Sequence, residues 1–130
     1  MSIYQDMAVV VRQMTWFKDQ IIYEDGLPDK PDDAVCVRVF GGHYERIHNR
    51  RRPSWTVYGI EFRVRSNRPS VCLDRCNDIA DHIGGLVNES INGVLYRSII
   101  ETSPAVEVAR DPEGQVTYSI AFTATRRGTP

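Results

Sequence analysis

A chain of 130 residues, 42% hydrophobic and 25% charged, is long enough for one compact core and too short for two. Sixteen basic residues against seventeen acidic ones leave a formal net charge of -1, which excludes a general electrostatic pull toward nucleic acid or an anionic membrane. Cys36, Cys72 and Cys76 form no paired framework, residues 3–17 are broken by Gln5, Asp6, Arg12 and Gln13 as no secretory signal is, and no apolar run nears the ~20 residues of a membrane span, so the chain reads as intracellular, reduced and free of membranes.

From the N-terminus, Ile3, Met7, Val10, Met14, Phe17 and Ile21 recur at steps of three and four, which predicts an amphipathic helix over residues 2–22. Residues 24–33 carry Gly26, Pro28, Pro31 and mostly acidic charge and read as a solvated linker. Residues 34–40 alternate, with Val35, Val37 and Val39 on one face, and so do Tyr58, Ile60, Phe62 and Val64, opposed by Glu61, Arg63 and Arg65. Two strands of one half-buried sheet follow from this pattern.

Between them, residues 41–55 (GGHYERIHNRRRPSW) exceed what a plain hairpin needs and read as a long basic loop. A second helix is expected after Pro69, with Ser70 as its cap, Cys72, Cys76, Ile79, Ala80 and Ile83 on its buried face, and Gly84-Gly85 at its end. Strands over 94–101 and 116–125 close the chain, the latter entered through the turn residues 111–114, and 126–130 read as a flexible tail. The predicted order is helix, strand, strand, helix, strand, strand. A single α+β domain over 1–130 is expected, a two-layer sandwich whose mostly antiparallel sheet carries both helices on one face.

No catalytic set emerges. There is no GxSxG elbow, no cysteine stands in a catalytic signature, and neither Gly41-Gly42 nor Gly84-Gly85 sits between a strand and a helix as a phosphate cradle would. The cysteines read as small apolar packing. Asp74, Asp78, Asp81 and His82 share one helical face, where solvation is the expectation over a cation site. The chain is therefore read as no enzyme, with no cofactor and no metal.

The densest charge feature is Arg46, Arg50, Arg51 and Arg52 with His43, His48 and Trp55. Three readings stand: a solvated hairpin tip, a nucleic-acid contact within a small α+β binding module, or a protein contact, since arginine and aromatic residues are enriched at interface hot spots. Asp29, Asp32 and Asp33 in the linker offer a complementary surface that a neighbouring copy could present.

The N-terminal amphipathic helix, the Pro- and Asp-containing linker into a valine-rich strand ending in Phe40-Gly41-Gly42, the long loop, the strand YGIEFRVR over 58–65, the helix over 71–83 and the closing hairpin together resemble the tail terminator, or minor capsid, proteins of long-tailed bacteriophages. The resemblance spans nearly the whole chain and lies in size, element order and texture. It implies a non-catalytic virion protein that forms a closed ring, commonly a hexamer, caps the tail tube and joins tail to head. The implied partners are further copies of the chain, the tail tube protein and the head-tail connector, with DNA only as passing cargo. The implied location is the head-proximal end of the tail, and the host cytoplasm during assembly.

Overall fold

The computed structural model describes residues 2–17, 21–28, 33–45 and 55–127. Helix α1 (Ile3–Arg12) opens with a capping box: the Ser2 hydroxyl accepts from the Gln5 amide at 3.3 Å while the Ser2 amide donates to Gln5 Oε1 at 2.9 Å. It ends ten residues earlier than the apolar spacing predicts. Met14, Thr15, Trp16 and Phe17 instead form tight turns, with the Met14 amide on the Val11 carbonyl and the Phe17 amide on the Met14 carbonyl. The apolar stripe continues because Met14, Trp16 and Phe17 still pack on the core, although a β-branched and two aromatic residues in a row favour helix weakly. The expected helical end at Ile22 is strand β1 (Ile22–Glu24).

Strand β2 (Ala34–Glu45) runs beyond the expected stop at Phe40. Gly41 and Gly42 take positive φ, +72° and +106°, and let a bulge form between Phe40 and His43 that carries the strand onward. Strand β3 (Trp55–Ser66) pairs with it down to Glu45 opposite Trp55. Residues 41–45 and 55 therefore belong to strands, and the connection shrinks to 46–54, which lies outside the described residues.

Helix α2 (Pro69–Ile83) starts one residue before the expected cap: Arg68 holds the cap position and Pro69 the first turn, where its missing N–H is harmless. Gly84 closes it, its amide on the Ala80 carbonyl at 2.7 Å, where a Cβ would strike that same oxygen. Strand β4 (Val87–Ile91), which the apolar pattern does not predict, turns back through Asn92 and Gly93, both at positive φ, into β5 (Val94–Arg110). Strand β6 (Val116–Arg127) follows, and it takes up Arg126 and Arg127, expected instead in a flexible tail.

The sheet order is β1-β2-β3-β6-β5-β4. The α+β class holds, but the four-strand antiparallel sandwich is replaced by a six-strand mixed sheet curled into a half-barrel, with β1 parallel to β2 and the other neighbours antiparallel. Much of the curl has a local cause. From Ile100 to Arg110 β5 takes ten residue steps while its partner, from Thr123 to Val116, takes seven, and the surplus is absorbed at three register shifts that bend and twist the strand.

Both helices pack on one face of the sheet. Met7, Val10 and Val11 of α1 and Cys76, Ile79 and Ile83 of α2 meet Val35, Val37, Ile60, Phe62, Val64, Tyr96, Ile99, Ile120 and Phe122 in one cluster. Phe62 and Phe122 meet edge to face at 6.0 Å. No helix among the described residues is long and apolar enough to cross a membrane.

Candidate functional site

The sheet face turned away from the helices carries the polar and exposed apolar residues. At its centre Glu61 of β3 accepts from Arg38 of β2 at 2.8 Å, from Arg63 at 3.1 Å and from the Ser119 hydroxyl of β6 at 2.6 Å. Burial alone would raise this carboxyl, but the Ser119 hydroxyl and the two guanidinium groups outweigh it and hold the group below its ordinary value. The three strands are thus tied across the face by one acid.

Beside this cluster runs a row set by the strand register: Phe40 on β2, Gly59 on β3, Thr123 on β6 and Ile100 on β5. The Phe40 ring lies over Gly59, occupying the space a Cβ would take. Phe40 is 53% exposed and Ile100 57%. Exposed Val106 and Val108 continue the apolar surface along β5.

Of the candidate interface residues, three fall within the described chain. His43 is exposed on β2, opposite Val57. Trp55 is half-buried at the start of β3, with the Arg97 guanidinium 5.3 Å from its ring centre. Asp33, leading into β2, lies 3.5 Å from the Arg75 guanidinium of α2, which itself stacks on Trp16 at 5.1 Å. The remaining candidates, Arg46, His48, Arg50, Arg51, Arg52, Asp29 and Asp32, lie outside the described residues.

The thiols are committed to packing. Cys36, Cys72 and Cys76 are free and buried, and burial pushes the Cys36 thiol up to about 11 and Cys76 to about 12. Cys72 donates to the Val116 carbonyl at 3.4 Å. A cleft of about 340 Å³ between α1 and β4 brings His82, Glu89 and Ser90 to its walls, but the hydrogen bond of His82 described there goes to Gln13 Oε1 at 2.7 Å. Asp74, Asp78 and Asp81 are exposed, and among the described residues no group of His, Cys, Asp and Glu is arranged to hold a metal.

One polar constellation is invisible in the sequence. Asp6 of α1, fully buried, accepts from Tyr96 at 2.5 Å, from Arg126 Nε at 2.8 Å and from Asn92 at 3.2 Å. An aspartate in the first turn of a helix reads as a capping charge, and an arginine near a C-terminus reads as a solvated end. Only the long-range pairing of β6 with β5 brings them together.

No protein-family model and no curated protein match the chain. Among solved structures, a chain from "Virion of native gene transfer agent (GTA) particle" superposes with a TM-score of 0.60 over 93% of this chain and 93% of that chain, at 12% identity. At that identity the two share a fold.

Proposed function

We propose that this chain is a structural protein of a phage-like virion: it caps the tail tube as a closed ring and joins the tail to the head. The observation that carries the reading is the fold shared end to end, 93% of each chain, with a chain from a gene transfer agent virion. Coverage that complete matches whole domains, not a common hairpin or helix pair. The resemblance in element order and texture to tail terminator proteins supplies the position within the particle.

The arrangement of side chains supports the same reading. The thiols are buried and the acids on α2 face water, while the sheet carries an exposed face with apolar residues at both margins. A surface of this kind serves contact between proteins better than turnover of a small molecule. The chain accordingly works without a cofactor, and its partners are further copies of itself, commonly six by the resemblance, the tail tube protein and the head-tail connector.

Electron microscopy of the purified protein, alone and mixed with tail tubes, tests this. Closed rings, free or seated on tube ends, are the expected result. A strict monomer at every concentration that also ignores tube ends overturns the reading.

A further inference from the structure

We propose that neighbouring copies join edge to edge: the open half of β5 in one copy pairs antiparallel with the open half of β2 in the next. The inference rests on the ring reading and assigns its seam.

The two outermost strands are short and each covers only part of its neighbour. β1 pairs with Val35, Cys36 and Val37 of β2, and among the described residues no strand flanks β2 from Phe40 to Glu45. β4 pairs with β5 between Val94 and Ser98, and Gly85 and Leu86 extend the cover to Ile99. Beyond this, from Glu101 to Arg110, no strand among the described residues lies on that side. Each open stretch presents backbone donors and acceptors to solvent, which is the template for adding a strand.

Both stretches carry exposed apolar side chains. Phe40 belongs to one, and Val106 and Val108 to the other. Pro104 and the three bulges in the open half of β5 withhold donors and break the repeat, so the edge resists indiscriminate pairing and favours one partner shape.

The chain itself offers that shape. Along the sheet β2, β3, β6 and β5 alternate in direction, so β2 and β5 run oppositely. Rotation about a ring axis keeps the sense of the neighbour's β2, which makes the junction antiparallel.

Height supplies the second argument. Val35 is level with Val64, Tyr118 and Glu107, so β1 lies level with the open half of β5. His43 is level with Val57, Thr125 and Ser98, so β4 lies level with the open half of β2. Copies set side by side without displacement would be held apart by these short strands. A constant stagger brings the open halves together, and in a closed ring such a stagger is a tilt of the strands.

Val106→Lys and Val108→Lys place charges on exposed positions of this edge, so circular dichroism and melting should match the parent. Analytical ultracentrifugation and native mass spectrometry should show ring formation weakened at least tenfold. Cysteine pairs at positions 40 with 109 and 43 with 106 should give covalent ladders of subunits on mild oxidation, since the native thiols are buried. Full-strength rings in both lysine variants without cross-linking overturn the seam and leave the ring reading standing. Intact rings that no longer bind tubes in the Val106→Lys variant also overturn it, in favour of a tube protein strand on β5. A parent chain that forms no ring, alone or on tubes, removes both readings.

Discussion

The carboxylate of Asp6 and the guanidinium of Arg126, 120 residues apart, meet at 2.8 Å inside the protein, with side-chain exposures of 0% and 7%. The pair fastens the first helix to the last strand, and Tyr96 and Asn92 satisfy the remaining capacity of the carboxylate. Replacing Arg126 by methionine keeps much of the packing volume but leaves a buried carboxylate short of its countercharge. The expected cost is about 3–5 kcal/mol, the range for breaking one side of a buried pair. Urea unfolding measures it. An Asp6→Asn, Arg126→Met double variant should recover part of the loss, because no unpaired charge remains inside.

Tyr96→Phe removes one donor from the same carboxylate without opening a large cavity. Burial, followed by the hydrogen bond to Asp6, drives the phenol well above its ordinary value, so it remains a protonated donor across the accessible pH range. The variant should lose about 1.5–3 kcal/mol, as expected for a buried hydrogen bond to a charged group, and its loss should be flat from pH 6 to 9. A loss confined to one end of that range would mean that the phenol titrates.

How far the sequence reveals this fold depends on how local each determinant is. The strict alternation of Tyr58, Ile60, Phe62 and Val64 and of Ile120, Phe122 and Ala124 survives into β3 and β6, because neither strand is bulged where they pair. The distal half of β5 is hidden since its bulges destroy the period of two and Pro104 reads as a break. β1 is hidden because Ile21 and Ile22 fit the spacing of the helix before them. β4 was within reach: Asn92-Gly93 is a strong hairpin signal that periodicity passes over. For the surface, an exposed Val106 is indistinguishable from a core valine until the sheet order leaves its strand uncovered. The arginines of 46–52 stand out by composition, while a backbone edge has no composition at all.

Cysteine reactivity tests the packing of α2 and β2 independently. With burial raising all three thiols, two of them to about 11 and about 12, almost no thiolate exists at pH 8 and little of it is accessible. A thiol reagent should leave Cys36, Cys72 and Cys76 unmodified over minutes in native buffer and modify all three in concentrated urea. Rapid labelling of Cys36 in native buffer would show that the outer sheet face opens locally.

Acid should loosen the outer face through Glu61. Its folded-state pKa is held below the ordinary 4.5 because Ser119, Arg63 and Arg38 outweigh the effect of burial, so the unfolded chain binds the proton more readily than the folded one. The contribution is complete above the unfolded value and fades as pH falls through the folded one. Glu61→Gln should therefore cost about 1 kcal/mol at pH 7, discounted for the partial exposure of Arg38 and Arg63, and less at pH 3. Urea midpoints of parent and variant at the two pH values make the comparison. A gap that persists unchanged at pH 3 would mean that Glu61 acts through shape and not through charge. Since this acid ties β2, β3 and β6 together beside Phe40, the same acid range should weaken ring formation before it unfolds the chain, and sedimentation from pH 5 downward to pH 3 reads that order of events directly.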